Sequence, residues 1–144
     1  MSDPINFANI HLPKSPNYYL VCPHSSVIPC FTHGAQVRVK THSALLNTTI
    51  SQLKTTCETV LSKQPRTKLL QVIDYHFIFV QRSFIWKFPD YIDIELFSVD
   101  AAHTTLAIYS RSKYGYYDFN VNQKRAESWL KHLKQACNPI PNLD

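Results

Sequence analysis

Residues 91–112 read YIDIELFSVDAAHTTLAIYSRS, two alternating runs around a short break. In the first run Ile92, Ile94 and Leu96 fall on one face, and Asp93 and Glu95 on the other. In the second, Leu106 and Ile108 share a face, and Tyr109 and Arg111 take the opposite one. A period of two is the mark of a half-buried strand. The two apolar faces have to coincide to build one core, which predicts an antiparallel hairpin of even-sum register. A slip by one residue would set Glu95 opposite Ile108. With Leu96 facing Ile108, Asp93 faces Arg111, and an ion pair between them is expected.

Working upstream, residues 75–82, YHFIFVQR, are apolar on both faces, as in a covered central strand. Residues 69–73 read as a short strand. Between the strands lies SFIWKFPD, residues 83–90. Pro89 ends pairing there, and Trp86 and Phe88 are expected to cover an edge of the core. Over residues 43–62, Leu46, Ile50, Leu53, Cys57, Val60 and Leu61 recur at helical spacing. Thr41 or Ser43 is the expected cap, and Pro65 the stop. Downstream, Ala126, Trp129, Leu130, Leu133 and Ala136 predict a second helix over 123–137, capped by Asn122 and ended by Asn138 and Pro139. The fold class is therefore α+β: an antiparallel sheet of about four to five strands packed by two amphipathic helices, 43–62 and 123–137.

The 144 residues suit one domain, large enough to fold without a metal or a disulfide. Residues 1–34, punctuated by Pro4, Pro13, Pro16, Pro23 and Pro29, are expected to be irregular, with an α+β core over 35–138. Tyr18, Tyr19, Leu20 and Val21 are placed to pin that segment to the body, and AQVRVK at 35–40 reads as a short strand. No apolar run suits a membrane helix, and the first residues lack a secretory pattern, so a soluble cytoplasmic protein is expected. The cysteines Cys22, Cys30, Cys57 and Cys137 are then expected as free thiols. Cys22, His24, Cys30 and His33 are metal-capable types, but their spacing is not that of a zinc site, and no metal or cofactor is expected. The net charge of +5 permits an anionic partner. The local group Lys124, Arg125, Lys131 and Lys134 reads as a solvated helix face.

The densest polar stretch is 110–125, SRSKYGYYDFNVNQKR, at the passage from strand to helix. Two readings apply. The turn is locked by its own hydrogen bonds and salt bridges, with Asp118 accepting from free N–H groups at the helix start and Asn120 in a left-handed conformation. Or it forms a pocket for a polar or anionic ligand, with Arg82, Arg111 and Arg125 as donors and Ser112, Asp118 and Asn122 beside them. His76 reads as a core histidine, and His103 as part of a hairpin loop. No G-x-S-x-G, H-E-x-x-H, P-loop or G-x-G-x-x-G motif occurs.

Ser110, Arg111, Ser112, Gly115, Tyr116, Asp118, Val121, Asn122 and Arg125 together resemble the signature of domain-of-unknown-function family 1499, found mostly in bacteria and also in plants. Gln81, Arg82 and Ser83, then Phe88, Pro89, Asp90 and Tyr91, are similar to its preceding strand and turn. Pro16, Asn17, Tyr19 and Leu20 are similar to its N-terminal segment. Tyr117 stands where the family usually has Ser, Asn120 where it has Gly, Gln123 where it has Arg, and Tyr18 where it has an N-terminal Cys. The family has no settled activity, so the resemblance implies a domain rather than a reaction. The leading expectation is non-catalytic binding of a small polar or anionic ligand, or of an acidic partner segment, at the 110–125 turn. Two alternatives remain. One is an enzyme for a phosphorylated or carboxylated metabolite with Asp118 or His76 as base. The other is nucleic-acid binding by the basic C-terminal helix, which is disfavoured because no aromatics interleave with its cations.

Overall fold

A computed structural model describes residues 5–23, 30, 32–34, 38–42, 45–115 and 117–137. The expectations for His24, for residues 35–37, for a cap at Ser43 and for a stop at Asn138 and Pro139 lie outside these residues. The chain forms β1 (Ile10–His11), β2 (Tyr18–Pro23), β3 (Thr32–His33) and β4 (Val39–His42), then α1 (Ile50–Thr56), which widens into a π-helical stretch (Cys57–Leu61). It continues through β5 (Thr67–Ile73), β6 (His76–Arg82), β7 (Pro89–Asp100), β8 (His103–Ser112) and α2 (Val121–Cys137).

The main sheet has six strands in the order β4-β2-β8-β7-β6-β5. β4 runs parallel to β2, and every other pair is antiparallel. A second, two-stranded parallel sheet joins β1 to β3. The α+β class holds, but the sheet is mixed and larger than the expected four or five strands.

The β7–β8 hairpin has the expected parity and a different register. Leu96 faces Leu106 and Ile94 faces Ile108, so Asp93 lies opposite Tyr109, and Arg111 opposite Tyr91. The turn between the strands is held by Asp100, whose Oδ1 accepts from the Ala102 N–H at 2.8 Å and contacts His103 Nδ1 at 2.8 Å. This is the local bonding through which Asp favours turns. A bulge at Ser98 to Asp100 accompanies it.

The sheet is covered on both faces. On one, Tyr19, Val21, Phe77, Phe79, Ile92, Ile94, Leu106 and Ile108 pack against Leu53, Cys57, Leu61, Ala126, Trp129 and Leu133 of the helices. The Trp129 ring meets Phe79 edge-on, with centroids 5.3 Å apart. On the other, Tyr18, Leu20, Cys22, Ala107 and Tyr109 lie under Phe7, Ile10 and Leu12 of the N-terminal segment. This corrects the irregular reading of residues 1–34 where they are described, since Ile10–His11, Tyr18–Pro23 and Thr32–His33 are strands. β2 is buried over its whole length and sits inside the sheet, against β8. Its apolar residues serve both faces, so it shows no alternation.

The first helix starts later than its stripe implies. Leu46 makes an isolated bridge to Thr104, and the cap is Thr49 rather than Thr41. Thr49 Oγ1 accepts from the Gln52 N–H, while Gln52 Oε1 accepts from the Thr49 N–H, both at 3.2 Å. This reciprocal pair satisfies two free donors. Thr55 and Thr56 donate back to the carbonyls of Ser51 and Gln52, the kind of competition that bends helices. Trp86 and Phe88 do not cover the core. They are exposed in the β6–β7 loop.

Cys22 and Cys30 are joined in a disulfide, which corrects the expectation of four free thiols. Cys57 is a free thiol buried in the helix-face core, as its place on the apolar stripe predicts, and Cys137 is half-buried. The bond also occupies two of the metal-capable residues. A third, His33, stacks on His11 and contacts Asn9 Oδ1 at 2.8 Å. Among the described residues no group of three His, Cys, Asp or Glu side chains is placed to hold a metal ion.

Candidate functional site

The 110–125 stretch separates into two structures on opposite faces of the sheet, because Ser110 and Arg111 are neighbours in one strand. On the helix face Ser110, Asn122 and Arg125 form a clamp. Asn122, fully buried in the first turn of α2, accepts from Ser110 Oγ at 2.7 Å and from Arg125 Nη1 at 2.8 Å through its Oδ1. Its Nδ2 is within reach of the Asn17 carbonyl at 3.0 Å, Ser112 Oγ at 3.0 Å and Asp118 Oδ2 at 2.8 Å. Asn122 is therefore not the expected N-cap. Its amide ties the start of β2, the end of β8 and the start of α2 to one point.

The helix start is organised by Asp118. Its Oδ1 accepts from the Asn120 N–H at 2.9 Å, and its Oδ2 from the Asn122 N–H at 3.3 Å. A carboxylate there satisfies free donors and the helix dipole together. Phe119 and Asn120 take left-handed φ values of 53° and 65°, which Asn tolerates and Phe does not favour.

Arg125 completes the clamp. Its Nη2 pairs with Asp90 at 2.8 Å, and its Nε donates to Gln81 Oε1 at 2.5 Å. Burial pulls the guanidinium below its ordinary pKa, against the opposing charge of Asp90. Gln81 in turn donates to the Pro65 carbonyl and Thr67 Oγ1. Arg125 thus joins α2, β8, β7 and β6.

On the other face lies Asp93, wholly buried. Its Oδ2 contacts His76 Nε2 at 2.7 Å and accepts from the Ile5 N–H at 3.2 Å. Its Oδ1 is 2.8 Å from Arg111 Nη1. That contact is an ion pair without hydrogen-bond alignment, and Nη1 also donates to the Tyr109 carbonyl at 3.2 Å. Glu95 approaches the other side of His76, with Oε1 3.5 Å from Nδ1. Burial alone works against a charged imidazole. The hydrogen bonds and charges of Asp93 and Glu95 outweigh it and push the pKa of His76 up to about 9. Asp93 is thus an anion held between two cations, a form in which a buried charge is tolerated.

Above Arg111 opens a cleft of about 500 Å³, lined by His11, Pro13, Ser15, Asn17, Tyr91, Tyr109, Arg111, Ser112, Lys113 and Gly115. The Arg111 guanidinium lies over the Tyr109 ring, 4.8 Å from its centroid. Burial pushes the Tyr109 hydroxyl up to about 12, with the Arg111 charge opposing the rise. Among the described residues the lining holds two fixed cations, Arg111 and Lys113, together with His11, and no carboxylate.

The three arginines grouped by sequence do not meet. Arg125 belongs to the clamp and Arg111 to the cleft. Arg82 is exposed, and its Nη1 donates to the Lys87 carbonyl of the β6–β7 loop at 3.0 Å. Ser112 stands between clamp and cleft, bonding Asn122 and lining the cleft. Neither Asp118 nor His76 lines the cleft. His11, Tyr91, Tyr109 and Lys113 were not singled out from sequence. Tyr109 and Lys113 flank Arg111, but His11 and Tyr91 arrive from other elements, with no local signal.

Comparison with curated proteins and with solved structures found no match. The family model described as "Protein of unknown function (DUF1499)" matches residues 14–133, and the chain belongs to that family.

Proposed function

We propose that this domain binds a small polar or anionic ligand in the cleft above Arg111, without catalysing its conversion. The observation that carries this reading is the lining itself: Arg111 and Lys113 face a space of about 500 Å³ with no carboxylate among the described lining residues. Among the described residues only Nη1 of Arg111 is engaged, by Asp93 and the Tyr109 carbonyl. Its remaining N–H groups are suited to bidentate contact with a carboxylate or phosphate. Tyr91 and Tyr109 add apolar walls with polar tips. The ligand site is thus the Arg111 side of the 110–125 stretch, and the Arg125 side is structural. An acidic segment of a partner protein would use the same groups.

No helix among the described residues is long and apolar enough to cross a membrane. The Cys22–Cys30 disulfide supports an oxidising compartment over the cytoplasm.

The test is thermal denaturation with phosphate, sulfate, citrate and a dicarboxylate at constant ionic strength. At least one raises Tm in the native protein, and the rise shrinks in Lys113→Ala and in Arg111→Lys, which keeps a positive charge for Asp93. No rise beyond that of chloride in any condition contradicts the reading.

A further inference from the structure

The β6–β7 loop exposes an unusual run of large apolar side chains. Phe84, Ile85 and Trp86 are 72%, 71% and 73% exposed, and Phe88 is half exposed. The loop is nonetheless well built. The Ser83 N–H donates to the Phe88 carbonyl, the Phe88 N–H to Ser83 Oγ, and the Lys87 N–H to the Ser83 carbonyl. Arg82 bonds the Lys87 carbonyl from below, and Lys87 takes a left-handed φ of 61°. The backbone is thus tied to itself while the apolar side chains point outward. The Phe88 ring contacts that of Tyr114, with centroids 5.7 Å apart. Tyr117, Phe119 and Val121 are exposed near the start of α2.

Register places the β6–β7 loop and the end of β8, from which Tyr114 follows, at one end of the sheet, and the turns at Asp74 and Asp100 at the other. The aromatic end also carries exposed Arg66, Arg82, Lys87, Lys113 and Lys124. The cations of Arg66 and Lys87 lie 5.6 and 5.9 Å from the centre of the Phe84 ring. The carboxylates nearest the tip in sequence are both engaged, Asp90 by Arg125 and Asp118 by the helix start. Of the exposed acids, Asp74 and Asp100 sit at the far end, and Glu58 and Glu127 lie on the helices.

We propose that this tip docks on an anionic lipid bilayer, with Phe84, Ile85 and Trp86 entering the interface and Arg66, Lys87 and Lys113 meeting the headgroups. Apolar patches of this kind mark interaction sites. Trp and Tyr favour the interfacial zone, where an apolar ring and a polar tip are both accommodated. Long cations keep their heads at the phosphates while their stems lie in the apolar layer. Basic residues add attraction to an anionic leaflet. A fluid interface receives a protruding loop without a matching recess, whereas a protein partner has to supply a shaped pocket. Phe84, Ile85, Trp86, Arg66 and Lys87 do not line the cleft, and Lys113 is common to both.

The experiment is co-sedimentation of the full chain with vesicles of equal parts phosphatidylglycerol and phosphatidylcholine, and with phosphatidylcholine alone. The chain associates with the anionic vesicles, and far less with the neutral ones. Association weakens as salt rises. Trp86→Ala weakens it about tenfold, and Lys87→Glu also weakens it, without change in circular dichroism because both sites are exposed. Tryptophan emission shifts to the blue on binding. Trp129 is already buried, so the shift belongs to Trp86, and Trp86→Phe keeps association while losing the shift. No association with anionic vesicles at low salt overturns the proposal, as does unchanged association of Trp86→Ala. Binding to soluble polyglutamate with the same emission shift and equal strength assigns the tip to an acidic protein and overturns the lipid reading.

Discussion

Arg111 Nη1 stands 2.8 Å from Asp93 Oδ1, although the two residues are not opposite each other across β7 and β8. The pair is diagonal: Asp93 faces Tyr109, and Arg111 faces Tyr91 one pair further along the same face. A long side chain spans that offset. The Asp93 side chain is wholly buried and that of Arg111 only 18% exposed, so the pair is shielded from solvent. Arg111→Ala leaves Asp93 with His76 and the Ile5 N–H but without its second cation. The expected cost is about 3 kcal/mol by urea denaturation, well above that of an exposed pair. A loss under about 1 kcal/mol would show that the pair carries no more than a surface one.

His76 makes stability depend on alkaline pH. Its folded pKa of about 9 lies above the ordinary histidine value, so the folded state holds the proton more tightly than the unfolded one. The contribution is fully present below the unfolded pKa of about 6.5 and is lost as pH rises through the folded value. It is on the order of 3 kcal/mol. Denaturation midpoints should fall between neutral pH and pH above the folded pKa, and His76→Gln should flatten that fall. A midpoint that stays level in the native protein over this range refutes the charged His76.

The hairpin that holds Asp93 and Arg111 was legible because alternation declares faces. Its register was two residues off because a period of two settles parity alone, while the turn at Asp100 and its bulge set the pairing. The helix of 123–137 was legible from the stripe around Trp129. β2 was not, since Tyr18, Tyr19, Leu20 and Val21 serve two cores and lack alternation, and a parallel partner such as β4 leaves no turn signal. Leu46 matched a helical stripe by chance of spacing and instead bridges Thr104. Trp86 was assigned inward because apolar character alone does not distinguish a core residue from a protruding one. The 110–125 stretch read as one unit, but alternate side chains of β8 serve opposite faces, Ser110 at the clamp and Arg111 at the cleft.

The clamp is a stability device. Asn122→Ala removes the amide that Ser110, Arg125, Asp118 and the Asn17 carbonyl share. The groups it leaves behind are buried or half-buried and lose their partner. The expected cost is about 2–4 kcal/mol, more than the usual single hydrogen bond. A double-mutant cycle with Arg125→Ala should show strong non-additivity, because both act on one network. Simple additivity would break the clamp into independent contacts.

The Cys22–Cys30 bond closes a loop with a sequence separation of 8 beside the buried strand β2. Reduction should lower stability by about 2–3 kcal/mol through the freedom returned to the unfolded chain. Thiol labelling of the native oxidised protein should reach Cys137 before Cys57, which is buried and whose thiol burial pushes up. Labelling of all four cysteines under native, non-reducing conditions would contradict the bond.

The most direct test of the division between clamp and cleft is a phosphate titration of isotope-labelled protein, followed residue by residue by NMR. Shifts that saturate at His11, Tyr91, Arg111 and Lys113, with Asn122 and Arg125 unmoved, are the predicted result. Saturating shifts centred on Asn122 and Arg125, or no saturating shift at Arg111, would contradict it.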